Sequence, residues 1–468
     1  MLGVPELSSR LIVVVLASCG LVASFMQTLV LPLIPAFPHL LGASPADASW
    51  VVTATLLAAS VVTPVSGRLG DLYGKRRMVL VSLGLLILGS AVSALTSSLA
   101  LMVAGRALQG AAMGVIPLGI SIMRDELPAE RIGSAISLMS ATLGVGGAIG
   151  LPVAAIVAQH ADWHVLFWSS GALGLLCALL VFSVVPESPV RTPAPFDYLG
   201  TIGLAAGLIC LLLPVVKGAV WGWTSPATLG FAGSSVVIFL AWGWYQLRRR
   251  EPLVDLRVSA RRPVLFTNLA SIMVGFALYA LAQSFPQLLQ APASTGYGLG
   301  QTMIESGLTL APNGLVMMLL SPVSARLIAR IGPRPTLMAG SAVIAAGYIF
   351  TIFLMHNAFE LIVSSVIIGA GVGVAYAAMP SLIMGAVPVT ETASANGLNS
   401  LMRAVGTATS SAVMSAMLAQ LTIVVAGATV PSLFGFRATF VVAALAALAG
   451  VGLAALVPKV RQERLVSV

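Results

Sequence analysis

Five charged side chains fall within eleven residues, Gly67-Arg68-Leu69-Gly70-Asp71-Leu72-Tyr73-Gly74-Lys75-Arg76-Arg77, between apolar runs at 50–66 and 78–95. Each run is about long enough to cross a bilayer, and charges of this density do not sit in hydrocarbon. The island therefore reads as a tight turn at a membrane face. Gly67 and Gly74 allow the turn and a close helix approach, and Asp71 supplies a carboxylate that gains energy at any helix N-terminus it meets. A second charge, Arg106 in Arg106-Ala107-Leu108-Gln109-Gly110, lies deep in an apolar run. A guanidinium there is costly and points to function. Gln283, Gln287 and Gln290 recur at helical spacing and share one face; glutamine facing lipid is expensive, so that face looks at protein or water.

The elements that position these residues must be membrane spans. Hydrophobic residues make up 58% of the 468-residue chain and charged residues 8%, against about 25% charged in soluble domains; the mean hydropathy is +1.01. Fourteen apolar segments have spanning length, at 11–34, 49–66, 78–96, 99–123, 134–158, 164–185, 199–219, 227–247, 265–289, 304–328, 336–355, 359–384, 397–422 and 435–457. Charge tests this count. With a cytoplasmic N-terminus, 20 of the 24 Lys and Arg fall on the cytoplasmic side: Arg10; Arg68, Lys75, Arg76, Arg77; Arg124, Arg131; Arg191; Arg248, Arg249, Arg250, Arg257, Arg261, Arg262; Arg326, Arg330, Arg334; and Lys459, Arg461, Arg464. Lys217 and Arg437 fall outside, and Arg106 and Arg403 within spans. Both termini are therefore expected inside.

The net charge of +9 sets topology in this pattern and does not suggest nucleic acid. Cys19, Cys177 and Cys210 lie in apolar stretches without metal-ligand spacing and read as packing residues. The first apolar run has no clear cleavage site and reads as a retained helix. No nucleotide loop, nucleophile–base pair or metal cluster marks an enzyme or an ATP-driven pump, so no cofactor is expected. Trp221, Trp223, Trp242 and Trp244 fit interfacial belts.

Pro64-Val65-Ser66-Gly67-Arg68-Leu69 recurs as Pro322-Val323-Ser324-Ala325-Arg326-Leu327, and Gly74 then falls on Gly332; Ser137-Leu138-Met139 recurs as Ser400-Leu401-Met402. This suggests duplication of a six-helix unit about an axis along the membrane normal. The expected division is an N-terminal bundle at 1–190, two inserted spans and a basic linker at 191–262, and a C-terminal bundle at 263–468.

The six-plus-two-plus-six arrangement and the Gly-x-x-x-Asp-x-x-Gly-[Arg/Lys]-[Arg/Lys] island together resemble the fourteen-helix drug/proton antiporters of the major facilitator superfamily. The resemblance implies an all-α polytopic protein working as a monomer in the bacterial inner membrane, exporting amphipathic small molecules by alternating access in exchange for protons. In that family the island's carboxylate holds the outward-facing state by pairing with a basic group and a helix N-terminus of the other half. Gly67, Asp71, Gly74, Lys75 and Arg76 take the gating role on this comparison, with Arg403, in Asn399-x-x-x-Arg403-x-x-Gly406, as candidate partner. In the second half Ala329 replaces the Asp. Arg106 matches the arginine that the family assigns to proton coupling. Gly146, Gly150 and Pro152 resemble the antiporters' glycine-rich fifth helix, with Pro shifted by one residue. The family's first helix usually carries Asp and Asn where Phe25-Met26-Gln27-Thr28-Leu29-Val30-Leu31-Pro32-Leu33-Ile34-Pro35 has Met26 and Leu31. With no buried counter-charge, neutral or anionic substrates are expected, and restoring Asp at position 26 is expected to shift preference toward cations. Glu305, at the outer start of the tenth span, is the remaining proton-carrier candidate, through partial burial; Asp197 lies at the inner start of the seventh, and His164 with Asp162 at an outer mouth. The cavity is expected to be lined by Gln27, Thr28, Gln109, Tyr279, Gln283, Gln287, Gln290, Asn313 and Tyr376. Alternatives are a dedicated exporter of one endogenous metabolite and a uniporter without proton coupling.

Overall fold

The computed structural model describes residues 6–30, 33, 36–188, 194–425 and 428–458. Leu31, Pro32, Ile34 and Pro35 of the first-helix stretch, the expected boundary at 190–191 with Arg191, both termini, and Lys459, Arg461 and Arg464 lie outside the described residues.

The long helices are α1 (Glu6–Thr28), α2 (Trp50–Tyr73), α3 (Lys75–Ala94), α4 (Leu99–Glu126, with a 3-10 turn at Ala112–Gly114), α5 (Ala129–His160), α6 (His164–Val184), α7 (Tyr198–Trp221), α8 (Pro226–Arg248), α9 (Arg262–Gln290), α10a (Met303–Leu319), α10b (Ser321–Ile331), α11 (Pro333–Phe353), α12 (Ala358–Met384), α13 (Thr392–Gln420) and α14 (Leu433–Ala455). Among the described residues twelve of these are long and apolar enough to cross a membrane, and α10a with α10b, bent by 42°, makes a thirteenth. The expected fourteenth coincides with α13. It has length to spare at 29 residues, but its sequence is rich in Ser, Thr, Ala and Asn. Polar side chains are tolerated where a helix faces other helices, and α13 packs against α9, α2 and α4.

The polar island is mostly helix. α2 runs on to Tyr73 and α3 starts at Lys75, so the turn is Gly74 alone, at φ +114°. An L side chain rarely adopts that angle and glycine does so freely. The repeat preserves this device, since Gly332 separates α10b from α11 at φ +86°.

One core draws on α1, α3, α4, α5 and α6 around Leu16, Met26, Leu86, Met123 and Met139. Another draws on α9, α11, α12 and α14 around Phe285, Tyr348, Met379 and Phe440. The two sets of helices meet along α2–α13 and along α5 with α10a, α10b and α12. α7 packs on α8, α2 and α13. Its N-terminal end is fixed by Asp197, which accepts hydrogen bonds from Gly200 N (2.9 Å), Gln246 Nε2 (2.9 Å) and the Tyr245 hydroxyl (3.0 Å). At the far end the buried Lys217 bonds the Ser49 hydroxyl and lies 4.4 Å from the Trp50 ring centroid. Trp223 and Trp244 are exposed, as interfacial belt residues are. An antiparallel pair of short strands, Thr422–Val425 with Ala428–Pro431, closes the turn between α13 and α14, in the gap between the expected spans at 397–422 and 435–457.

Candidate transport site

Asp71 is 1% exposed and meets the other half of the molecule. Its carboxylate accepts hydrogen bonds from Ala393 N (3.3 Å), Ser394 N (2.9 Å) and Ser394 Oγ (3.1 Å), in the first turn of α13. These amides have no partner within their own helix and carry the positive end of its dipole. Lys75 Nζ stands 3.9 Å from Asp71 and 2.5 Å from Asp125 on α4, all three buried side chains. Gly67 lets the backbones close: a Cβ there would lie 2.4 Å from the Ala393 carbonyl oxygen. Arg124, in the sequence one of the topology-setting charges, donates to the Met384 carbonyl (2.9 Å) and to the Thr392 hydroxyl. Both cross to the second half. Beside this contact Arg68 pairs with Glu251 at 3.2 Å. Burial, and then the nearby Asp255, pushes the Glu391 carboxyl above its ordinary range against the pull of Arg68 and Arg261.

Two gating expectations change. Arg76 stays within the first half, bonding the Phe182 carbonyl and stacking over its ring at 5.2 Å. Arg403 does not reach Asp71. It donates to Asn399 Oδ1 (2.6 Å) and Ser400 Oγ (2.8 Å) and lies over Tyr376 at 5.2 Å. The spacing explains this: Arg403 follows Ala393 by ten residues, about 15 Å along a helix. The partner of Asp71 is a set of backbone amides, which no side-chain motif announces.

Arg106 is 1% exposed. Its guanidinium donates to the carbonyls of Val51 (3.3 Å) and Met26 (3.4 Å), to Gln109 Oε1 (2.8 Å) and weakly to Met26 Sδ (3.5 Å). None of these partners is a carboxylate. Gln109 passes the network on to Ser90 Oγ at 2.8 Å. It is fully buried between α3 and α4, so it orients Arg106 and does not line a cavity.

The glycine-rich helix packs as expected of small residues. Cβ atoms at Gly146 and Gly150 would lie 2.5 Å from Ser24 Cβ and 2.0 Å from Thr28 Oγ1 on α1. Thr28 itself donates to Phe25 O (3.0 Å) and to Gly146 O (3.4 Å), so its hydroxyl is used in that packing. Pro152, buried in α5, faces Gly307 of α10a in the other half. Gln27 is half-buried at the end of α1.

On α9, Tyr279 is half-buried, Gln283 Nε2 donates to Ser415 Oγ (3.1 Å), and the exposed Gln287 donates back to Gln283 O (3.0 Å). Gln290 lines a small depression with Gln287 and Pro431. The α9 face thus divides between a contact to α13 and a depression at the C-terminal end of α9. Asn313 packs its side-chain oxygen against Gly369 of α12, and Tyr376 is buried beneath Arg403. In the turn between α5 and α6 His164 Nδ1 meets Asp162 Oδ1 at 2.5 Å, and the His164 amide, then its ring, hold the Asp162 carboxyl below its ordinary value.

Glu305 does not have the expected partial burial. It is exposed, and its carboxylate accepts from Thr302 N (2.7 Å) and Thr302 Oγ1 (3.0 Å) while Thr302 Oγ1 caps Glu305 N, a reciprocal capping box. The Thr-x-x-Glu spacing signals this in the sequence. Glu305→Gln is accordingly expected to leave transport within about twofold of wild type and to weaken the cap by less than about 1 kcal/mol; flux and thermal unfolding of the purified variant check both.

These features have known counterparts. The profile of the Major Facilitator Superfamily matches residues 16–411 and, in a second alignment, 269–467. The chain belongs to the major facilitator superfamily. The second alignment begins in α9, which starts the later set of helices. Relatives within the superfamily include the Tetracenomycin C resistance and export protein of Streptomyces glaucescens, 27% identical over 82% of this chain and 71% of that protein. Multidrug resistance protein Stp of Mycobacterium tuberculosis is 26% identical over 88% of this chain and 76% of its own length. Among solved structures, the human organic anion transporter MFSD10 superposes with a TM-score of 0.67 at 17% identity, covering 96% of this chain and all of that one. The proton:xylose symporter XylE gives 0.66 at 14% identity over 95% of each chain. Both show the superfamily fold.

Proposed function

We propose that this superfamily member exports amphipathic small molecules, neutral or anionic, across a bacterial inner membrane, with both termini cytoplasmic, working as a monomer that alternates access between two six-helix halves and exchanges substrate for protons. The observation that carries alternating access is the Asp71 contact. It joins the halves at the basic end of the molecule through hydrogen bonds that separate cleanly when the halves rock apart. Relatives named for drug resistance and export support the direction. The substrate class follows from Arg106, a buried cation with no carboxylate among its partners. A dedicated exporter of one endogenous metabolite fits the same geometry. Uniport without proton coupling is the second reading, and a separate observation supports it: Met26 stands where the family's first helix usually carries Asp and touches Arg106.

The deciding experiment is flux in proteoliposomes for neutral, anionic and cationic amphiphiles, with and without an imposed pH gradient. Export predicts substrate-driven proton movement with the neutral or anionic compounds. Flux indifferent to the gradient identifies uniport, and flux confined to cations overturns the substrate class. Met26→Asp refines the test. A carboxylate beside Arg106 would form a buried pair that is neutral overall, so the structure revises the sequence-based expectation: Met26→Asp should leave the preference for neutral or anionic compounds unchanged. Cation transport by Met26→Asp would contradict the pairing.

A further inference from the structure

Arg106 and Arg403 are both buried guanidinium groups that meet no carboxylate among the described residues. Each is oriented by a side-chain amide. For Arg106 it is Gln109, tied to Ser90. For Arg403 it is Asn399, whose Nδ2 donates to Asn268 Oδ1 (2.9 Å) and Ser271 Oγ (2.8 Å) and so turns its oxygen to the guanidinium. The two differ in what remains to be satisfied. Arg106 is 1% exposed, and its fork is taken up by Val51, Met26 and Gln109. Arg403 is 9% exposed. Asn399 and Ser400 each accept from one of its Nη atoms, and a guanidinium has five N–H donors. These two partners and the Tyr376 ring are all neutral, so the charge itself goes unanswered.

The position of Arg403 suits a ligand. It stands about 16 Å from the start of α13 and about 25 Å from its end, at 1.5 Å per residue, and it borders the earlier set of helices: Ser140 of α5 donates to the Tyr376 carbonyl at 3.2 Å. Transporter sites lie at such mid-span junctions between repeats. From Arg403, α13 continues with Thr407, Ser411 and Ser415, every fourth residue and so on one face. All three are half-buried. Opposite them on α9, Tyr279 bonds Ser411 and Gln283 bonds Ser415. Half-exposed hydroxyls and amides at span depth look at water or protein, not lipid. A polar track thus runs between α9 and α13 from the exposed Gln287 to a cation at its buried end.

We propose that Arg403, beneath the Tyr376 ring, binds the anionic head group, a carboxylate or sulfonate, of the transported amphiphile. Guanidinium pairs planar oxyanions through charge-assisted hydrogen bonds, and the contacts to Asn399 and Ser400 hold the fork in place without neutralising it. Arg106 repels cations by its charge; contact with an anion falls to Arg403. The proposal rests on the anionic branch of the export reading and gives it a binding residue.

Equilibrium dialysis of the purified protein in phosphatidylcholine nanodiscs, with empty nanodiscs subtracted, tests it. The probes share one ring system and differ in head group: 2-naphthoate, 2-naphthylmethanol and 2-naphthylmethylammonium. The wild type should bind the carboxylate at least fivefold more tightly than the alcohol. Arg403→Gln should bring the carboxylate down to the level of the alcohol and leave the alcohol unchanged, a split that a merely structural arginine would not produce. Arg248→Gln, an equal loss of charge at an exposed site, should bind as wild type does. Thr407→Phe fills the space one turn from Arg403 without changing charge and should also lose the carboxylate, which covers the case in which Arg403→Gln assembles poorly. Carboxylate binding that is absent from the wild type, or unchanged by both variants, overturns the site. Tightest binding of the ammonium would overturn the anionic class along with it. No gradient is imposed, so a failure of export or of proton coupling leaves this result standing.

Discussion

Asp71→Asn should collapse transport at least tenfold while leaving insertion and yield near wild type. The variant keeps one acceptor for the three hydrogen bonds from Ala393 and Ser394 and loses the charge that the start of α13 stabilises. A carboxylate at a partly buried helix terminus contributes up to about 2 kcal/mol, and about 1.4 kcal/mol is a factor of ten in an equilibrium. The balance between states closed and open at the basic end should therefore move by roughly thirtyfold. Lys75 retains Asp125 at 2.5 Å, so no cation is stranded and folding is spared. Spin labels at Tyr73 and Val389, exposed positions on opposite sides of the contact, report the shift as a longer distance population in the variant. Unchanged distances with normal flux would remove Asp71 from the gate. Lost flux with unchanged distances would assign it another role.

How much of this was legible in advance depends on which physics each feature obeys. Span positions follow apolar period and length, and twelve of the expected segments appear as such helices. α13 escapes the apolar test because it is enclosed by other helices, a fact of tertiary packing. The clasp was half legible. Asp71 and its glycines are written in the island, but its partners are backbone amides of a chain segment more than 300 residues away. Arg403, the charged residue that a sequence offers instead, is used locally by Asn399 and Ser400. Glu305 misled for a related reason: it stands out where other deep acidic groups are missing, but the Thr302–Glu305 capping spacing already accounts for it. Gln109 was legible as polar and placed deep, but which neighbour it served depended on the rotation of α4, which brings it to Arg106 and Ser90. The clamps at the two ends of α7, at Asp197 and at Lys217, had no motif at all.

Arg106→Met should make the protein more stable and less active at once. The guanidinium is buried and answered by two carbonyls, an amide oxygen and a thioether, with no carboxylate among them. Removing a charge from water costs several kcal/mol even after relaxation, and replacing buried ionic groups by apolar ones of similar volume stabilises proteins by about 1–4 kcal/mol. Methionine fills most of the space beside Met26, the Val51 and Met26 carbonyls sit in helices that still use them, and only Gln109 loses a partner. A rise in Tm of several degrees in detergent is the expected sign. A group kept at such a cost is one that function requires, so transport should fall at least a hundredfold. Arg106→Lys separates charge from shape. It retains the cation, but a single ammonium cannot reproduce the planar fork that reaches Val51, Met26 and Gln109 together, so activity should return only in small part. A less stable Arg106→Met protein would recast the arginine as a structural anchor tying α4 to α1 and α2. A stable variant with full flux would remove Arg106 from the transport cycle, and with it the argument that this membrane protein selects neutral or anionic substrates.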